Sequence, residues 1–167
     1  MRTKMILIVV IIMILFANFI IYKKEMLIRN GNRILLKLAP VDPRSLIQGD
    51  YMTLRYEITR LIESKKLPKD GYIVLTKDDN DIGHFIKIYD QSSELKPEEF
   101  LLRYRKRGYK IKIGAESFFF QEGYAKYFEK AKYGELKISS SGDSVLTGLF
   151  DIEFTNIAYK IKNKEIN

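Results

Sequence analysis

From Met5 to Tyr22 the chain runs 18 residues without a charge, MILIVVIIMILFANFIIY, and Asn18 is its only polar interruption. A helix needs about 20 apolar residues to cross a bilayer, with a lower limit near 17, so this run predicts a transmembrane helix. A buried core helix of that length would keep a polar stripe, and none is present. The run ends Phe19-Ile20-Ile21-Tyr22-Lys23-Lys24 rather than in the small residues of a cleavage site, which predicts a retained anchor. After it the period changes from helical to strand-like. Met52, Leu54, Tyr56 and Ile58 alternate with Tyr51, Thr53, Arg55 and Glu57, the pattern of a strand with one face in a core. Gly49-Asp50 supplies turn chemistry before that strand, and Pro40 and Asp42-Pro43 impose an extended, turned approach.

The remaining pattern is mostly short strands. Ile34–Leu38 is a brief apolar segment, and Ile58–Leu67 reads as more strand or as a short helical turn before Pro68-Lys69-Asp70-Gly71. Tyr72–Thr76 and Phe85–Tyr89 are strands joined by Lys77–Gly83, a stretch composed like a hairpin loop. Gln91–Glu99, polar and holding Pro97, is a loop or a helix start. Leu101–Ile113 reads as two strands, or one bent strand, with a turn near Gly108. Tyr124, Tyr127, Phe128 and Ala131 fall at i, i+3, i+4 and i+7, which predicts an amphipathic helix near residues 122–132 with Gly134 as its stop. The end reads β-like again, through Leu136–Ser139, a turn at Ser141-Gly142-Asp143, Val145–Phe150 and Ile152–Ile161. The expected fold is α+β and mainly β: an N-terminal transmembrane helix, then an antiparallel, barrel-like β domain with one amphipathic helix. The expected division is a tail and anchor at 1–22, a juxtamembrane linker at 23–33 and one domain at 34–162.

Composition narrows the chemistry. A hydrophobic content of 46%, with 21 Tyr and Phe residues together, is enough to build a core. Cysteine is absent, which removes disulfides, thiolate nucleophiles, cysteine-based zinc sites and a lipid-modified cysteine. Arg2 and Lys4 carry two of the 29 basic charges, leaving 27 against 21 acids, or +6, for the rest. That balance favours weak attraction to anionic lipid or wall polymers. The basic residues are interleaved with acids and no recognition motif accompanies them, so a nucleic-acid surface is not expected. The acidic loop Asp78-Asp79-Asn80-Asp81 lacks EF-hand spacing, and His84 has no second His or Cys, so neither a metal nor a cofactor is expected.

Asp50, Glu116, Glu122 and Glu129 are the candidate acids. Two carboxylates flanking a glycosidic bond can hydrolyse it, but ion pairs to Arg44 or Arg55 are the expected fate of such groups. Pro43 followed by Gly49-Asp50 resembles the box of type I signal peptidases, in which a serine lies shortly before the proline. Here Ala39, Pro40, Val41 and Asp42 precede Pro43, Ser45 lies on the wrong side, and no lysine is marked out as a base.

A fuller resemblance is to the bacterial GDYXXLXY proteins, whose signature is present at Gly49, Asp50, Tyr51, Leu54 and Tyr56. The chain also resembles that family in Pro40-x-Asp42-Pro43-Arg44, in Gly114-x-Glu116, and in Phe120-x-Glu122-Gly123 with Glu129. The resemblance implies a single-pass membrane protein without assigned activity, with a polytopic membrane protein as its partner. It carries over no catalytic residue. The flanking charges, Arg2 and Lys4 against Lys23, Lys24, Arg29, Arg33 and Lys37, favour a cytoplasmic domain. Long domains translocate largely regardless of charge, and with the resemblance this places the domain outside the cytoplasm. The expected role is a binding module for a membrane or envelope component. The alternative is an envelope hydrolase, either a carboxylate pair acting on glycan or a signal-peptidase-like domain without its serine.

Overall fold

The computed structural model describes residues 2–39, 47–48, 51–63, 67–90 and 94–166. The apolar run lies in helix α1, Arg2–Asn30, of 29 residues. At about 1.5 Å per residue that is roughly 43 Å, longer than the ~30 Å hydrocarbon core of a bilayer. It is the one helix among the described residues long and apolar enough to cross a membrane. Among the described residues nothing buries its apolar run, and Phe16 is 65% exposed. The lone polar side chain is satisfied within the helix, because Asn18 Nδ2 donates to the Ile14 carbonyl at 2.8 Å. Residues 23–30 continue the same helix, where Arg29 pairs with Glu25 one turn back at 2.8 Å. Gly31 alone then separates α1 from strand β1, Asn32–Lys37. A Cβ at Gly31 would stand 2.5 Å from the Leu27 carbonyl oxygen, so this tight exit requires glycine.

Three antiparallel sheets follow. β1 pairs with β9, Tyr133–Ile138, which also pairs with β10, Ser144–Phe150. A second sheet has the order β5-β4-β6-β7, formed by Gly83–Ile88, Asp70–Lys77, Phe100–Arg107 and Lys110–Lys112. The third joins β2, Ile47–Gln48, to β3, Tyr51–Thr53, and β8, Ser117–Phe119. Bridges at Leu35–Ile82 and Leu38–Tyr56 link the sheets into a half-barrel. Its interior is one apolar cluster that includes Ile34, Leu36, Tyr56, Ile73, Leu75, Leu102, Leu136 and Leu149. The predicted hairpin at Lys77–Gly83 and the turn at Gly108, where φ is +60°, are both present.

Two readings change at the C-terminal end. Ile152–Ile161 is not a strand; it is a turn followed by helix α4, Ile157–Ile166. Asp151 Oδ1 accepts from the Glu153 and Thr155 amides, each at 3.0 Å, and Asn156 Oδ1 then caps α4 by accepting from Ala158 N at 2.9 Å. The buried pair Ile157 and Ile161 sits at i, i+4, a helical spacing. The amphipathic helix at 122–132 is shorter than its pattern, for only α3, Ala125–Phe128, is helical. Lys132 N already bonds the Phe150 carbonyl at 2.8 Å as β9 begins, and Gly134 lies in β9 rather than at a helix end. Residues 57–63 settle as a helix, α2, Glu57–Glu63.

One ionic cluster holds the seam between sheets. Arg33 of β1 reaches Asp81 at 2.8 Å and Glu135 of β9 at 2.5 Å, and Lys77 reaches Asp81 at 2.7 Å. Lys77, then Arg33, holds the Asp81 carboxyl below its usual range. A depressed folded-state value contributes stability above the unfolded value, about 3.9, and that stability is lost as pH falls through the folded value. Acid titration followed by circular dichroism is expected to show a loss of stability below about pH 4 that Asp81→Asn reduces. An unchanged acid limb in Asp81→Asn would contradict this.

Candidate functional site

Asp42, Pro43, Arg44, Gly49 and Asp50 lie outside the described residues. From Tyr51 onward the signature is built into the fold. Tyr51, Met52 and Thr53 of β3 pair with Phe119, Phe118 and Ser117 of β8, and the Tyr51 and Phe119 rings sit 5.8 Å apart. The chain then turns inward, where Leu54 N donates to the Glu116 carbonyl at 2.7 Å and the Tyr56 hydroxyl donates to the Ala115 carbonyl at 2.7 Å. Tyr56 is 0% exposed. Burial, and secondly the charge of Glu116, pushes its hydroxyl far above the usual tyrosine value. Below it lies Gly134, where a Cβ would stand 3.0 Å from the Tyr56 ring and 3.3 Å from Leu146. The ring is pinned at its hydroxyl and cannot yield, so Gly134→Val is expected to cost about 1–3 kcal/mol by overpacking. Urea denaturation measures it, and an unchanged midpoint would contradict the fit.

Gly114-x-Glu116 forms the other half of the corner. Gly114 has φ +81°, and Glu116 Oε1 accepts from the Ile113 amide at 2.5 Å and the Gly114 amide at 3.2 Å. The carboxylate therefore closes a turn in its own backbone. Phe120 stacks on Phe128 of α3 at 5.4 Å and Phe118 meets the same ring tilted at 5.0 Å, and Gly123 turns the chain with φ +85°. Glu122 and Glu129 are exposed.

The signature strand divides two clefts. One, of about 540 Å³, has an apolar floor of Leu38, Ala39, Met52, Leu54, Phe128 and Ala131, with Lys37, Arg55, Glu57, Glu129 and Lys132 around it. The other, of about 360 Å³, has a mixed lining in which Leu54 and Ile111 lie beside Tyr51, Thr53, Arg55, Glu63 and Lys112. Arg55 lines both and lies 3.7 Å from Glu63. Leu54 and Tyr56 enter the core, while Tyr51 and Arg55 are at least partly exposed along the second cleft, as the alternation predicts.

The sequence profile of the GDYXXLXY protein family matches residues 13–149. The chain belongs to the GDYXXLXY family. No curated protein and no solved structure matches it. The GDYXXLXY match begins within α1 and ends in β10, so it takes in the described part of the signature corner and every lining residue of the two clefts except Ile152, and leaves α4 outside.

In this GDYXXLXY chain the acids serve the fold first. Glu116 holds backbone amides, Asp78 closes its loop by accepting from the Asn80 and Ile82 amides at 3.0 and 2.9 Å, and Asp81 pairs with Arg33 and Lys77. His84, exposed on β5, contacts Asp78 at 3.1 Å. Among the described residues no three His, Cys, Asp or Glu side chains gather as for a metal ion. The sequence reading missed Ala115, whose carbonyl receives the Tyr56 hydroxyl. Its one signal was an alanine, buried here at 3% exposure, between two motif residues.

Proposed function

We propose that this is a single-pass membrane protein whose β domain is an interaction module for a membrane or envelope protein, met through the apolar cleft beside the signature. The observation that carries the reading is that cleft. Its floor of Met52, Leu54 and Phe128 is apolar, its edge carries both signs of charge, and such a surface fits a partner's apolar side chain ringed by polar groups. The uncovered α1 supports a bilayer anchor, and its direct run into β1 holds the domain close to that surface. The use of Glu116 as a backbone clasp favours binding over carboxylate-pair hydrolysis. The domain lies outside the cytoplasm in this reading.

The test places a photo-crosslinking amino acid at Arg55 or Lys132 of the intact chain in native membranes, with Lys162, which does not line the cleft, as the control. The expected result is one membrane-protein adduct at the cleft positions and none at Lys162. Equal labelling at all three positions would overturn the reading. So would turnover of a glycan substrate that Glu129→Gln abolishes with melting unchanged. A reporter fused after Asn167 and active only in the cytoplasm would overturn the orientation.

A further inference from the structure

A third cleft, of about 350 Å³, lies between α1 and the β6–β7 hairpin, and it is more basic than the two beside the signature. Lys24 of α1 faces Arg103, Arg105 and Arg107 of β6 and Lys112 of β7 across it. The three arginines alternate along one strand, so they share a face. Two are partly neutralised, Arg103 by Asp143 at 3.8 Å and Arg105 by Asp70 at 3.6 Å. Glu116, the remaining acid in the wall, accepts backbone amides instead. Lys24, Arg107 and Lys112 are exposed and have no ion-pair partner among the described residues.

The position of the cleft selects its ligand. Lys24 is two residues past Tyr22, where the apolar run ends, so with α1 in a bilayer this cleft stands at the depth of the lipid phosphates. The tip of the same β6–β7 hairpin carries Tyr109, 93% exposed. Tyrosine is a residue that interfaces favour. We propose that the cleft is a binding site for the phosphate headgroup of an anionic phospholipid, held by Lys24, Arg107 and Lys112. Arginine offers the phosphate a two-pronged contact, and the lysines add point charges. The proposal rests on α1 crossing the membrane. Bound lipid would fix the rotation of the domain about its anchor, and so the direction in which the signature cleft points.

The test reconstitutes the full chain in vesicles of phosphatidylcholine alone or mixed equally with phosphatidylglycerol, then counts retained lipids by native mass spectrometry. Wild type is expected to retain phosphatidylglycerol preferentially. Lys24→Gln/Arg107→Gln/Lys112→Gln is expected to lose that preference by about tenfold or more, with an unchanged melting curve. The charge-matched control Lys126→Gln/Lys130→Gln/Lys162→Gln is expected to keep it. Arg107→Gln alone is expected to give a partial loss, which keeps the test open should the triple variant be unstable. Equal losses in the two triple variants would overturn the site in favour of diffuse charge, and displacement by millimolar inorganic phosphate would overturn the headgroup. A wild-type chain that fails to float with either vesicle overturns the anchor itself. Flotation without lipid preference overturns only this proposal.

Discussion

Tyr56→Ala is expected to remove a large share of the β domain's stability. The side chain is fully buried against Gly134 and Leu146 and is part of the main core cluster. Removing a buried aromatic costs about 3–5 kcal/mol, a large share of a total stability of about 5–15 kcal/mol. Urea denaturation followed by circular dichroism measures this, and a midpoint near that of wild type would refute it. A subtler pair separates the ring from its hydroxyl. Tyr56→Phe leaves the buried Ala115 carbonyl without its partner and is expected to cost about 1–3 kcal/mol. Tyr104 is equally buried, yet its hydroxyl has no hydrogen-bond partner among the described residues. Tyr104→Phe is therefore expected to be neutral or stabilising. Alkaline pH gives a further check on Tyr56. A hydroxyl whose folded value is raised contributes stability fully present below the unfolded value, about 10, and lost as pH rises above it. Tyr56→Phe is expected to reduce that alkaline loss.

The second large effect concerns α1 and tests its proposed place in a bilayer. Val10→Lys with Ile14→Lys puts two charges on one face near the middle of the apolar run. Each lysine at a helix centre costs about 3 kcal/mol for insertion, or roughly a hundredfold in partition. The double variant is expected to leave the membrane fraction on alkaline extraction, while Lys23→Ala, at the end of the run, stays. Retention of the double variant in the bilayer would show that α1 does not hold the protein there.

Local pattern revealed what regular backbone controls. The alternation of Met52, Leu54, Tyr56 and Ile58 named the buried face, although the chain passes from strand β3 to helix α2 along it. The apolar run named α1, and Gly108 named the β6–β7 turn. Where the pattern misled, tertiary bonds outweighed it. Of the stripe Tyr124, Tyr127, Phe128 and Ala131, Tyr127 is exposed and the other three face the core, and the start of β9 leaves room for one helical turn. Ile157 and Ile161 carried a helical spacing hidden behind the apparent alternation before them, which breaks at Phe154 with its φ of +56°. The motif acids looked like candidate catalysts because spacing does not reveal a partner. Only the fold brings Glu116 back onto the amides of Ile113 and Gly114. The basic run Arg103, Arg105, Arg107 and Lys112 was legible as a charged stretch suited to an acidic partner or a lipid surface, but its meeting with Lys24, far away in the chain, was not.

Amide hydrogen exchange in the full chain tests most directly whether the signature is a structural corner of the domain. Leu54 N–H is bonded to the Glu116 carbonyl and Ile113 N–H to the Glu116 carboxylate. Both are predicted to exchange only with global unfolding, and Tyr56→Phe is predicted to speed them by the same factor as the core amides of β4 and β9. Exchange of Leu54 and Ile113 within seconds in the wild-type chain, with the core amides still protected, would show an open loop and contradict the account.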